Sequence, residues 1–209
     1  MTAEPIALRT SLMPFSSRRR LLKDATATSH AKLDTMIGSF TSAAAYRAYL
    51  LGMARFRLPL EAMIADEALS APFAVWPGSW RPVSIGNGLR ADLVALEMDL
   101  NSNGEGWHAA PPKPQTTEDW LGLFYVLEGS ALGARVLSKR AAALGFRPDY
   151  GGAHLFSQTG NYSSWPAFLN LMEELRDLDD GKLAASAVST FAFAYTAFES
   201  AMNACYADR

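Results

Sequence analysis

Apolar residues recur every three or four positions along this chain, and no stretch alternates apolar with polar residues over several positions. The first long segment carries Leu22, Thr26, His30, Leu33 and Ile37 at 4-4-3-4 spacing, which places them on one face of a helix of roughly five turns. Strands would need side chains that alternate between two faces. The sequence therefore predicts an all-α fold.

Caps and breakers give the approximate bounds of the other helices. Pro59 lies inside the second of them and should kink or break it. The predicted helices cover residues 17–37, about 41–69, 87–100, 117–144, 164–176 and 180–206.

Length and composition predict one soluble domain. With 209 residues, 49% of them hydrophobic, the chain can bury one substantial core over residues 17–209, preceded by an arm at residues 1–16 that docks or stays disordered. A net charge of -2 gives no electrostatic case for nucleic acid, and no apolar run reaches the roughly 18 residues of a membrane span. The lone Cys205 and the absence of a secretory pattern near the start favour a reducing cytoplasm.

His30 is the first candidate for chemistry, because neutral imidazole is a common axial ligand of haem iron. Lys23 lies seven residues earlier, at nearly the same azimuth and roughly 10 Å along the helix axis. That is about the reach an ammonium needs to meet a porphyrin propionate while the imidazole meets the iron. The alternatives are a hydrogen-bonded core histidine and a solvated surface lysine.

Gly129 and Gly133 lie one turn apart in a helical segment, where each costs about 1 kcal/mol relative to alanine. One reason for them is backbone contact with a flat ring, and the other is close packing of two helices. Ser130 adds a hydroxyl that could bond a carbonyl of its own helix or order a water. Glu128, on a different face, is expected to be a surface or packing-edge charge. The two segments together favour haem held between two helices.

Other histidines carry weaker signals. Glu105 and His108 have the spacing of di-iron bundles, but that site needs two such motifs on helices, and here one copy lies in a loop rich in glycine and proline. His154 follows two glycines and is expected to be structural.

The two segments resemble those of the haem oxygenase family, particularly its bacterial members. The order of the elements that follow is also similar, so the resemblance covers about residues 17–206. The motifs are Leu22-Lys23-x-Ala25-Thr26-x-x-x-His30 for a proximal helix, Glu128-Gly129-Ser130-x-Leu132-Gly133-Ala134 for a distal helix, and Trp165-Pro166-Ala167-Phe168-Leu169.

The resemblance implies a role for each matched residue. His30 would be the proximal ligand of the haem iron, and Thr26 would touch the ring. Lys23 would pair with a propionate, for which Arg140 is a possible second anchor beside Lys139 and Arg135. The resemblance further implies that the distal face of the haem, where the reaction occurs, is formed by Gly129, Ser130 and Gly133.

Two positions depart from the pattern of the family. Many relatives carry an aspartate where Ser130 stands, which bears on how protons reach the distal side. Many also carry glycine where Ala134 stands, and the extra methyl would narrow the pocket.

The activity that the resemblance implies is oxygen-dependent opening of haem, which is both cofactor and substrate, to biliverdin, carbon monoxide and ferrous iron. The isomer expected from the Lys23 anchor is biliverdin IXα. Electrons would come from a separate reductase or ferredoxin, because the chain has no flavin or nicotinamide motif. The alternatives are a non-catalytic haem carrier or sensor on the same fold, and an all-α scaffold without a cofactor.

Overall fold

The computed structural model describes residues 17–67, 76–77, 80–101, 107–160 and 164–206, and these form helices joined by loops. Within these ranges no strand occurs, which confirms the predicted all-α class. The arm predicted for residues 1–16 lies outside the described residues. The helices are α1 Ser17–Ile37, α2 Ala43–Glu67, α3 Gly86–Ala95, α4 Thr117–Ala143, α5 Ala153–Gln158, α6 Ser164–Glu174 and α7 Asp180–Tyr206.

The last helix, α7, forms the centre of the fold, because α1, α2 and α4 all pack against it. Apolar side chains of every helix join one core, in which the largest fully buried rings include those of Trp120, Tyr49 and Phe198. The remaining helices, α3, α5 and α6, cover the other sides of α2 and α4.

Both α1 and α4 run in the same direction as α7. Along α1, Arg18 binds Asp180 at 3.1 Å, and the ring of His30 lies 5.8 Å from that of Phe191. Along α4, Glu118 in the first turn accepts a hydrogen bond from the amide of Asp179, just before α7, and Gly122 one turn later lies against Leu183 and Ala187. The two helices that carry the motifs therefore both start at the end of the molecule where α7 begins.

A close approach between α4 and α7 depends on a glycine. A Cβ on Gly122 would lie 2.6 Å from the Cβ of Ser186 and 2.7 Å from both the amide nitrogen of Ala187 and the carbonyl oxygen of Leu183. No side chain fits there, so Gly122 lets the two backbones pack directly together.

Capping residues fix the start of α4. The side chain of Thr116 accepts a hydrogen bond from the amide of Asp119 at 3.3 Å, and the Asp119 carboxylate accepts one from the amide of Thr116 at 3.0 Å. This capping box satisfies amides that the first turn leaves without partners.

Two predicted features differ from the structure, and a third outcome concerns Pro59. Helix α3 ends at Ala95 rather than near residue 100, because Glu97 adopts a left-handed conformation with φ of 51°. The short helix α5 was missed, since a six-residue helix gives too little periodicity to detect. Helix α2 continues through Pro59, so the proline does not break it.

Helix α4 is long and apolar enough, by length and composition alone, to cross a membrane. Half of its most apolar stretch is buried inside the protein, and its first half packs against α7 through Gly122. This is the pattern of a core helix rather than of one that faces lipid.

Candidate functional site

Helices α1 and α4 approach each other at Thr26 and Tyr125, where burial raises the pKa of the Tyr125 phenol and the nearby Thr26 side chain lowers it by a smaller amount. His30 lies one turn after Thr26 on α1, and Gly129 lies one turn after Tyr125 on α4. Because the two helices run in the same direction, both residues lie on the same side of this contact. We call the region between the following turns of α1 and α4, which carry His30 and the two glycines Gly129 and Gly133, the cleft.

His30 presents an imidazole that is exposed and oriented. Its side chain is 61% exposed, so it is not the buried core histidine that the sequence left as an alternative. Its Nδ1 lies 2.9 Å from Oδ2 of Asp34, one turn later, and its ring meets the edge of Phe191. The structure gives Nε2 no hydrogen-bond partner among the described residues. A carboxylate on one ring nitrogen and a free second nitrogen is the usual arrangement of a metal-binding histidine.

The surroundings of the two glycines argue against helix packing as their purpose. A Cβ on Gly133 would meet only the Leu137 side chain, on its own helix, at 3.9 Å among the described residues. A Cβ on Gly129 would meet only the ring of Trp165, at an ordinary contact distance of 3.8 Å. No backbone of a second helix approaches either position there, in contrast to Gly122.

An apolar surface continues along the same part of α4. Leu132 is 59% exposed and Val136 is 54% exposed, whereas the first half of the helix is buried. At 100° per residue, Val136 and Leu132 lie about 20° and 60° from the azimuth of Gly129, on the side away from Gly133. The wall of the cleft on α4 is therefore apolar and free of bulky side chains at its centre.

Ser130 lies beside this wall, and its hydroxyl bonds protein atoms. Its Oγ donates to the carbonyl of Leu127 at 2.6 Å. Nη1 of Arg57 lies 3.5 Å from the same Oγ, at the limit of a hydrogen bond. Of the two uses that the sequence left open for Ser130, the structure contains the bond to a carbonyl of its own helix.

The other predicted binding residues lie at different depths. Lys23 is exposed on α1, two turns before His30, and makes no ion pair within the described part of the chain. Thr26 is buried and donates to the carbonyl of Leu22 at 2.7 Å. Arg140 is half-buried in the last turn of α4, two turns beyond Gly133. His30 thus lies one turn beyond Thr26 on α1, Gly129 and Gly133 lie one turn apart on α4, and the two cations lie about two turns from His30 and from Gly133.

The expectation that Glu128 is a surface or packing-edge charge is wrong. Glu128 is 2% exposed, and its carboxylate accepts hydrogen bonds from the amide of Val83 at 3.0 Å and from the hydroxyl of Ser164. These bonds hold the start of α6 against α4, where the ring of Trp165 would lie 3.8 Å from a Cβ on Gly129 and lies 5.5 Å from the ring of Tyr125.

His154 is structural, as predicted, although it lies on α5 rather than in a loop. It is fully buried, and its Nδ1 lies 2.6 Å from the Asp92 carboxylate. Burial lowers the pKa of His154 although the bond and charge of Asp92 raise it. His108 is exposed in the segment before α4. His30 is thus the described histidine that faces the cleft.

The sequence did not reveal Arg57 as a functional residue. This side chain is buried, and it contacts Leu127 and Ser130 of α4 from the neighbouring helix α2. An arginine within an apolar segment gives no local signal of such a contact, because most arginines lie at the surface.

These features fit haem. The exposed imidazole of His30 could be the protein ligand of an iron held by a porphyrin. Within the described ranges there is no cluster of three or more His, Cys, Asp or Glu. The apolar face around Gly129 and Gly133 is suited to a flat apolar ring.

No family model matches the chain. It is 29% identical over 189 residues to heme oxygenase PigA of Pseudomonas aeruginosa, a match that covers 86% of this chain and 91% of that protein. The fold is similar to that of the heme oxygenase from Neisseria meningitidis solved with NO and CO bound, with a TM-score of 0.59 and 19% identity over 91% of this chain and 94% of the other.

Proposed function

We propose that the chain is a bacterial haem oxygenase, which binds haem between α1 and α4 and degrades it to biliverdin. The ring would be both cofactor and substrate, opened with molecular oxygen and with electrons from an external reductase or ferredoxin. The other products would be carbon monoxide and ferrous iron. We place this reaction in the cytoplasm.

The observation that carries the proposal is the state of His30. Its imidazole is exposed on the wall of a cleft, with Nδ1 held by Asp34 and Nε2 directed to no described protein atom. A histidine that served only the core would be buried and bonded, as His154 is. His30 is therefore arranged to bind the iron through Nε2, while Asp34 fixes the tautomer and the plane of the ring.

The opposite wall excludes side chains from the reacting face. Gly129 and Gly133 place backbone where any other residue would place a Cβ, so a flat ring can approach α4 closely. Leu132 and Val136 provide apolar contact beside them. This wall limits water at the reacting face, and haem supplies the iron and oxygen chemistry when it is bound.

Replacement of His30 tests the proposal. We expect His30→Ala to lose the histidine-haem absorption spectrum and the formation of biliverdin, because the structure offers the cleft no other histidine among the described residues. His108→Ala is the matched control, since His108 is also exposed but lies before α4, and it should behave as wild type.

Haem titration and turnover of the wild type, together with the spectrum of His30→Ala, distinguish a haem oxygenase from the alternative functions. A wild-type protein that shows no Soret shift on adding haem would make the chain a scaffold without cofactor. A stable haem complex that forms no biliverdin with oxygen and reductant would make it a haem carrier or sensor. Retention of the wild-type ferric spectrum in His30→Ala would contradict the assignment of the ligand.

A further inference from the structure

Arg57 is a buried cation that joins three parts of the fold beside the cleft. It lies on α2, is 2% exposed, and donates to the carbonyls of Leu127 at 3.0 Å and Val83 at 2.6 Å. Its Nε donates to Oε1 of Glu61 at 2.9 Å, one turn later on α2. A buried charge persists only where such partners compensate for the lost water.

Glu61 is held as firmly as Arg57. Its carboxylate accepts hydrogen bonds from the amides of Ile85 and Gly86, at 3.0 and 2.8 Å, and from the hydroxyl of Ser84 at 2.5 Å. Burial raises the pKa of this carboxyl, but the charge of Arg57 and these bonds outweigh it and leave the pKa below its usual value. The ion pair is therefore fixed to the start of α3 and has little freedom to move.

On the side of α4, the guanidinium meets the turn that follows Leu127. One nitrogen, Nη1, lies 3.0 Å from the Leu127 carbonyl and 3.5 Å from Oγ of Ser130, and that Oγ donates to the same carbonyl at 2.6 Å. A serine hydroxyl has a single hydrogen, which here is used by Leu127. Because of this bond, Ser130 can offer only a lone pair to a group in the cleft, and the Arg57 guanidinium holds the turn of α4 that carries both partners of the bond.

We propose that Arg57 is a positioning residue for the α4 wall, and that it holds the Ser130 hydroxyl as a hydrogen-bond acceptor toward the ligand side of bound haem. This inference rests on the proposed haem binding between α1 and α4. Arg57 acts through Ser130 and the Leu127 carbonyl, without touching the ring itself. Glu61 has a supporting role, because it aligns the guanidinium.

The chain offers a matched control on the same helix. Arg55 is also almost fully buried, and it donates to the carbonyl of Leu100 at 3.1 Å and to the hydroxyl of Ser200 at 2.9 Å. These partners lie outside α4. Replacing the Arg55 guanidinium should therefore destabilise the fold without changing the Ser130 hydroxyl beside the cleft.

The test is the pH at which the visible spectrum of the ferric haem complex changes from its acid to its alkaline form. This change reports the loss of a proton from a coordinated water, and an acceptor such as Ser130 favours the form that keeps the proton. Arg57→Lys retains the charge but cannot donate to Glu61, Val83 and Leu127 in the same fixed geometry. We expect it to lower the transition by about 0.5 to 1 pH unit, the size of one modest hydrogen bond.

Ser130→Ala should lower the transition by a similar amount, and the double variant should lower it no further, because both changes remove one acceptor. Arg55→Lys should leave the transition at the wild-type pH. Melting of the haem-free variants measures the effect on stability separately.

An unchanged transition in Arg57→Lys, or equal shifts in Arg55→Lys and Arg57→Lys, would overturn the positioning role while leaving haem binding intact. If Arg57→Lys does not fold, Ser130→Ala decides: no shift in that variant also overturns the proposal. A wild-type protein with no haem spectrum would instead contradict the proposed function.

Discussion

At the scale of single residues, the two ring nitrogens of His30 have different surroundings. Nδ1 lies 2.9 Å from the Asp34 carboxylate, and Nε2 has no hydrogen-bond partner among the described residues. A carboxylate on the far nitrogen makes an imidazole a better electron donor and restricts its rotation. Asp34 therefore prepares His30 before a ligand binds, at a position one turn away where the helix geometry already places it.

Replacement of Asp34 should weaken haem binding. We expect Asp34→Ala to reduce haem affinity by roughly 10- to 100-fold, the usual cost of losing such a partner. Asp24→Ala is the control, because Asp24 is also an exposed aspartate of α1 but faces Arg20. Haem titration of both variants measures the difference, and equal affinities would show that Asp34 has no role in ligation.

Lys23 should determine how the ring is seated. A charged hydrogen bond from its ammonium to a propionate is worth roughly 1.5 to 3 kcal/mol, enough to favour one in-plane orientation of haem strongly. We propose Arg140 as a second anchor, and biliverdin IXα as the main product.

Chromatography of the products from the wild type and from Lys23→Ala checks the seating. A mixture of isomers from the variant is the expected result. A single unchanged isomer would show that Lys23 does not orient the ring, and a β or δ product from the wild type would overturn the assigned isomer.

At the scale of the element, α4 contains glycines with two different purposes. Gly122 lies against the backbone of α7, where a Cβ would come within 2.7 Å of the Leu183 carbonyl. Gly133, three turns later, faces no second helix among the described residues. The first half of α4 is thus fixed in the core, and the second half forms a wall.

Two alanine substitutions distinguish these purposes. Gly133→Ala should raise the unfolding free energy of the haem-free protein by up to about 1 kcal/mol, through helix propensity alone. Gly122→Ala should lower it by about 1–3 kcal/mol, because the core has no space for the methyl group. Thermal melting of both variants provides the comparison. A loss of stability in Gly133→Ala would show that Gly133 is needed for close packing against another helix.

The sequence predicts the bounds of α4 better than it predicts which side chains of α4 are buried. Periodicity and caps predict the long helices well, and the start of α4 at Thr117 follows from its acidic first turn. The burial of Glu128 cannot be predicted from the sequence, because its carboxylate is bonded by Val83 and Ser164, which are far away in the sequence. Local pattern cannot reveal the partners that make a buried charge acceptable.

At the scale of the whole molecule, a buried pair joins α3 to α5. Asp92 accepts hydrogen bonds from the amides of Ala153 and His154, at 2.7 and 2.9 Å, and contacts the His154 ring. Gly88 allows this approach, since its own Cβ would lie 2.9 Å from the backbone of His154. The sequence predicted a structural histidine here but gave no sign of Asp92.

This pair should make stability depend on pH. Burial holds the pKa of His154 below 6.5 in the folded protein, and the nearby Arg57 lowers it further against the pull of Asp92. The unfolded chain therefore binds a proton first as pH falls, so the stability from neutral His154 is complete above about pH 6.5 and declines below it.

Melting of the haem-free protein between pH 7.5 and 5.5 tests this coupling. The melting temperature should fall with pH in the wild type and in His108→Gln, where an exposed histidine is replaced. The slope should be smaller in His154→Gln. A wild-type melting temperature that stays constant over this range would contradict the assignment.

The shared direction of α1, α4 and α7 also has an electrostatic consequence. Their first turns lie at one end of the molecule, where the partial positive charges of three helix dipoles add. Acidic side chains gather there: Glu118 accepts a hydrogen bond from the amide of Asp179 at 3.1 Å, and Asp180 binds Arg18. Arg18 also donates to the carbonyls of Met172 and Leu175 at 2.7 Å, where α6 ends.

Dissolved salt screens these charge interactions. Rising ionic strength should therefore weaken the contacts at this end of the bundle while the apolar core stays packed.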